Sequence, residues 1–111
     1  MTSYSPGDVV LVPFPFSDLR GAKKRPALVL AIIDHRRELV CVMLTSSPYG
    51  WNEVPVRHWK EAGLLKPTVA RVHRLFTLET ALVLEKQGSV DLEDFREVLA
   101  GVVATLVRGR L

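Results

Sequence analysis

From Pro26 to Ile33 the chain runs eight apolar residues without a break, flanked by Arg25 and Asp34. That length is far short of the ~20 residues that span a bilayer. It is also shorter than most buried helices and suits a strand covered on both faces. A central strand needs neighbours, and the flanking sequence supplies them. Asp8 to Phe14 carries Val9, Val10, Leu11 and Val12, a β-branched run that reads as a first strand. Pro13 and Pro15 end its regular pairing, and Ser17 to Lys24, containing Gly21, reads as a polar loop. Arg25 to Ile33 is then the second strand, Asp34 to Arg37 a turn, and Leu39 to Leu44 a third strand closing a hairpin.

Thr45 to Asn52 holds Ser46, Ser47, Pro48 and Gly50, which is loop chemistry. Val54 to Val56 reads as a short strand interrupted by Pro55, and Arg57 to Ala62 as one or two helical turns ended by Gly63. Two further strands are expected over Thr68 to Phe76 and Leu82 to Lys86. Asp91 can cap a helix running to about Val107, with Leu92, Phe95, Val98, Leu99, Val102, Val103 and Leu106 on one face. Such a face either packs on the chain's own sheet or also forms a subunit contact. Short strands followed by one helix predict a mainly β (α+β) fold, a small barrel closed by a helix. With 111 residues and no repeat or linker, a single domain over 1–111 is expected.

Composition narrows the function. The lone Cys41 excludes an internal disulfide or a multi-cysteine metal site, and between Val40 and Val42 it reads as a small buried hydrophobe. Asp and Glu do not fall at metal-ligand spacing, so neither metal nor other cofactor is expected. The first residues lack the basic and apolar pattern of a signal peptide, and the cytoplasm is the expected location. Charge is uneven: Met1 to Phe76 holds 11 Lys/Arg against 6 Asp/Glu, and Thr77 to Leu111 holds 4 against 6. The first two-thirds therefore suit an anionic partner such as RNA.

Four blocks add a family resemblance. Gly7-Asp8-Val9-Val10-Leu11-Val12-Pro13-Phe14-Pro15-Phe16-Ser17-Asp18-Leu19 resembles the opening of MazF/PemK-type toxins. Lys23-Lys24-Arg25-Pro26-Ala27-Leu28-Val29-Leu30, Val42-Met43-Leu44-Thr45-Ser46-Ser47 and Lys66 to Leu78 resemble the next three family blocks, in family order. The resemblance implies an SH3-like β-barrel with a short internal helix and a C-terminal amphipathic helix, the fold of PemK, MazF and CcdB-like toxins. It implies a homodimer whose two sites flank a shared groove. It further implies an mRNA-interferase-type endoribonuclease that cuts single-stranded RNA sequence-selectively without a metal. A co-encoded antitoxin would neutralise it, and operator DNA would be met only in complex with that antitoxin.

RNA can be cut without metal because its own 2′-OH attacks the adjacent phosphorus. The protein must align that hydroxyl, stabilise charge on phosphoryl oxygens and move protons. Arg25 stands at a loop-to-strand junction before Pro26, where its planar fork can grip two phosphoryl oxygens. By family match it is the catalytic arginine; read alone, it belongs to a solvated Lys23-Lys24-Arg25 run. Thr45 ends a strand, and its hydroxyl suits a hydrogen bond to phosphate or 2′-OH. Ser46 and Ser47 either join that contact or begin a turn. His73 departs from the Asp or Glu that family members often carry. An imidazole takes and returns protons near neutrality, so His73 is a candidate general acid or base, with Arg71 on the same strand face as a second cation. The alternative is a polar pair at a barrel rim.

Lys23, Lys24, Ser46, Ser47, Arg71 and Trp51 complete the candidate RNA contacts. Trp51 can stack an unpaired base, Trp59 anchors its helical segment, and Phe14 and Phe16 read as packing residues. His35 and His58, beside arginines, are expected in solvent. The rival readings are a non-catalytic small barrel that poisons gyrase, which needs neither Arg25 nor Thr45, and an inactive RNA or antitoxin binder.

Overall fold

A computed structural model describes residues 3–14 and 23–111. The expected loop over 17–22 and Phe16 lie outside the described residues. The elements are β1 (Asp8–Phe14), β2 (Lys23–Ile33), β3 (Glu38–Thr45), β4 (Glu53–Val56), β5 (Thr68–Glu79), β6 (Glu85–Ser89) and α1 (Leu92–Arg108). They form one antiparallel sheet in the order β4-β5-β3-β2-β1-β6. The apolar run from Pro26 to Ile33 is central, between β1 and β3.

Strand alternation divides the apolar residues between two faces. Val9, Leu28, Val42, Leu44, Ala70 and Val72 join Val98 and Val102 of α1 in one core. Val10, Val12, Ala27, Val29, Leu39 and Cys41 fill the other. Neighbours in sequence thus serve opposite cores, which is why β2 carries no polar residue from Pro26 onward.

Three local differences from the sequence reading have clear causes. First, β2 begins at Lys23, because Lys23 and Lys24 pair with Phe14 and Pro13 and extend the ladder. Second, residues 57–63 wind through hydrogen-bonded turns, with Ala62 N–H donating to the His58 carbonyl at 3.2 Å, in place of a regular helix. Third, the last strand is shifted from Leu82–Lys86 to Glu85–Ser89. Thr80–Leu82 forms a 3-10 turn, and Leu84 N–H donates to the Leu11 carbonyl at 2.8 Å. Leu82 and Leu84 stay exposed. Apolar character misled here because β6 is an edge strand and needs little of it.

Helix α1 begins at Asp91, whose carboxylate accepts the Asp94 N–H at 2.8 Å, and ends at Gly109 in the left-handed region. Its buried line is narrow, with Phe95, Val98 and Val102 packed on the sheet. Leu92, Leu99, Val103 and Leu106 of the expected face are exposed, because the helix meets chiefly β4 and β5. Gly101 sets the approach: a Cβ there would lie 2.9 Å from Val54 and 3.0 Å from Val72.

Candidate active site: a cationic cleft at one end of the sheet

Ala27 of β2 pairs with Met43 of β3. Continuing that register by two residues carries Arg25 to the level of Thr45, and alternation keeps both on one face. Two adjoining hollows, of about 280 and 250 Å³, share Arg25, Leu44, Thr45 and Ser47 in their walls. The first adds Phe14, Tyr49, Arg71 and Arg74. The second adds Ser46, Lys66 and Gln87 among apolar residues of β1, β2 and the 64–66 segment.

The Thr45 hydroxyl oxygen accepts the Ser47 N–H at 3.1 Å. Thr45 therefore begins a turn, and its O–H proton remains to donate elsewhere. Arg71 is held from several sides. Its guanidinium lies 3.9 Å over the Tyr49 ring, its Nη2 donates to the Ser47 carbonyl at 3.3 Å, and its Nε is 3.8 Å from Glu53. Glu53 in turn accepts the N–H groups of Tyr49 and Gly50, at 2.9 and 2.8 Å, and so orders the 47–53 loop. Arg74 lies 5.7 Å over the ring of Phe14.

His73 lines an adjoining hollow with Phe14, Met43 and Arg74, outside the walls shared by Arg25 and Thr45. Its ring is tilted 58° against Trp51, centroids 5.3 Å apart, while Trp51 remains half exposed. Along β5, Thr68, Ala70 and Val72 face inward and Arg71 and His73 outward, as alternation requires. The register against β3 then slips between Val42 and Leu44, and Arg74 is exposed as well. That slip is why Arg74 was missed: strict alternation turns it away from Arg71. Tyr49 and Gln87 were also missed, one hidden in a polar loop and the other in a strand placed too early. Lys23 and Lys24 are exposed at the head of β2, outside both linings.

His58 is not simply solvated. Its Nδ1 lies 2.7 Å from Asp91 and 3.4 Å from Asp94, and Asp94 is fully buried. Among the described residues these three form the one group whose ligand atoms gather within 4.8 Å, a proximity the linear spacing conceals. Those oxygens have other work: Asp94 accepts the Arg57 and His58 N–H groups at 3.2 and 2.9 Å, and Asp91 caps α1. The group is a junction between the 57–63 segment and the helix. Nearby, the Arg57 guanidinium is shifted further upward by its hydrogen bond to Glu97. Burial pushes the Cys41 thiol up to about 12, so it is no nucleophile.

The molecule is thus a curled antiparallel sheet packed by one helix, with an arginine and a threonine side by side in the wall of a cationic cleft. Residues 5–106 match the family model described as PemK-like, MazF-like toxin of type II toxin–antitoxin system, and the chain belongs to that family. No curated protein matches it in sequence. Solved structures share the fold. Toxin MazF-mt6 of Mycobacterium tuberculosis superposes with TM-score 0.73 at 16% identity, over 90% of this chain and 96% of that one. MazF of Deinococcus radiodurans gives 0.76 at 19%, over 96% and 99%. A mycobacterial endoribonuclease in complex with its cognate antitoxin gives 0.76 at 15%, over 95% and 96%. No helix among the described residues is long and apolar enough to cross a membrane.

Proposed function

We propose that this toxin-family chain is a metal-independent, sequence-selective endoribonuclease for single-stranded RNA. The observation that carries the reading is the presence of Arg25 and Thr45 in the walls of one cleft. Arg25 grips two non-bridging oxygens of the scissile phosphate through its guanidinium, and the Thr45 hydroxyl donates to the same phosphate or orients the 2′-OH. The 2′-oxygen attacks phosphorus, its proton passes to a base, and the 5′-oxygen departs with a returned proton. The products are a 2′,3′-cyclic phosphate and a 5′-OH end. Arg71 and Arg74 add positive potential along the backbone path, Ser46 and Ser47 offer further donors, and Lys23 and Lys24 steer the strand from the head of β2.

The tilted contact of His73 with the half-exposed Trp51 favours a second role for that imidazole, bracing an indole on which an unpaired base stacks, rather than the proton carrier. Among solved structures of the same fold, one is an endoribonuclease in complex with its cognate antitoxin and another is MazE-MazF of Deinococcus radiodurans. By extension this chain is held silent by a cognate antitoxin. The exposed Leu99, Val103 and Leu106 on α1 suit the partner face of a homodimer.

The test is cleavage of a mixed RNA pool by the purified chain in excess chelator, with new ends identified by mass spectrometry. Cyclic phosphate and 5′-OH ends are expected, with Arg25→Ala lowering the rate about 100- to 1,000-fold and 2′-deoxy substitution at the cut abolishing it. Cutting of the deoxy substrate, or a requirement for magnesium, overturns the mechanism. In the same assay His73→Asn separates its two roles: a lost limb of the pH–rate profile assigns the proton, and an unchanged profile with weaker RNA binding assigns the bracing of Trp51.

A further inference from the structure

The two hollows that share Arg25 and Thr45 differ in chemistry. The first has three arginines in its wall. The second keeps Arg25, Thr45, Ser46, Ser47, Lys66 and Thr68 on its polar side and adds an apolar side of Leu11, Leu44, Leu64 and Leu65. A phosphate is better held in the former, where three guanidiniums line the wall, because leucine surface returns none of the hydration a charge gives up. A flat, partly apolar ring belongs in the latter, and about 250 Å³ suits a group of that size rather than a large ligand.

Among the described residues, one polar group of the lining lacks a partner. The Gln87 Oε1 is buried and accepts no hydrogen bond. Buried acceptors are ordinarily satisfied, and an orphan among site-lining residues is free to receive a donor from a ligand. The backbone around it is fixed by close packing. A Cβ on Gly63 would lie 2.2 Å from the Gln87 carbonyl, and one on Gly88 would lie 2.3 Å from the Ala62 carbonyl. Only glycine at both positions lets the 62–63 backbone lie directly on β6, which sets Leu64, Leu65 and Gln87 around a common space. Leu65 is 88% exposed at the rim, so its side chain does little for the core.

We propose that this second hollow is a nucleobase pocket, and that Gln87 reads the N–H edge of the base next to the phosphate held by Arg25 and Thr45. The inference rests on the ribonuclease reading of the cleft and deepens it. The base slides against the leucines, the Gln87 carboxamide turns its buried Oε1 toward the hollow, and the base's ring N–H or exocyclic amine donates to it. The other half of the carboxamide can complete a paired contact, as glutamine does with base edges elsewhere. Gln87 is then a source of sequence selectivity, separate from the cutting step.

The experiment uses the full chain and a randomised single-stranded pool with 2′-fluoro riboses, which lack the nucleophile and cannot be cut. Bound and unbound fractions are sequenced for wild type, Gln87→Met and Leu65→Ser, each checked by thermal unfolding. Wild type should enrich one base at one position. Gln87→Met should lower that enrichment about tenfold and leave other positions alone. Leu65→Ser, at an exposed rim, should weaken the same position, and it decides the matter if Gln87→Met unfolds. Enrichment unchanged in either folded variant overturns the pocket, as would happen if Oε1 met only a bound water. Selective binding without cutting of ordinary RNA sinks the ribonuclease reading alone. Cutting with a base profile identical in all three proteins sinks the pocket alone.

Discussion

Cys41 points inward from β3 with none of its surface exposed, and burial holds its thiol near 12 against an ordinary 9.0. Below about pH 9 the thiol is protonated folded or unfolded and contributes no pH dependence. Between about 9 and 12 the unfolded chain releases this proton while the folded chain keeps it, so stability falls as pH rises. The expected slope reaches about 1.4 kcal/mol per pH unit. Comparing urea midpoints at pH 8 and pH 10 for wild type and Cys41→Val checks it: the variant should lose that part of the alkaline decline. A thiol reagent at pH 8 should label the unfolded chain and spare the native one. At this scale Thr45 was legible as the end of a strand, whereas Arg25 read alone belonged to a solvated basic run and was singled out by family resemblance. The sequence was silent on Gln87, whose interest comes from a side-chain oxygen left without a partner among the described residues where the 62–63 backbone packs on β6.

The first three strands were legible because β1, β2 and β3 are apolar, β-branched-rich runs bounded by turn residues. The shifted β6 was not, since its residues Glu85 to Ser89 are mostly polar and its place is set by pairing with β1. The helix was legible in length and in its Asp91 cap, but only half of its apolar face is used. A helix's own pattern states what can be buried, and the curvature of the sheet decides how much is. Gly101 reports that decision. An alanine there gains about 1 kcal/mol of helix propensity but must displace Val54 and Val72, and such overpacking costs about 1–3 kcal/mol. Gly101→Ala should therefore lower the melting temperature, and Val54→Ala in the same chain should recover part of the loss, giving a coupling energy in a double-mutant cycle. Additive effects would show that the helix sits farther from β4.

At the level of the whole molecule, the cleft is assembled from pieces remote in sequence: strand ends near residues 14, 25 and 45, the 64–66 segment, the bend of β5 and the last strand. Family resemblance singled out the candidate residues Arg25 and Thr45, but the meeting of these walls depends on tertiary packing that no local pattern encodes. Asp94 deserves its burial for this reason. It removes a carboxylate from water in order to receive the amides of Arg57 and His58, and the segment so tethered runs on to Leu64 and Leu65. Peeling α1 from β4 and β5 would withdraw that tether and slacken one side of the cleft, although the helix contributes no residue to it. In deuterium-labelling experiments the amides of Arg57 and His58 should thus open with the free energy of the Val98 amide, as members of one cooperative unit. Asp94→Ala should set them exchanging early, while those of β2 and β3 keep their protection. The helix and the leucine-lined wall then rise and fall in stability together, and anything that binds one will steady the other.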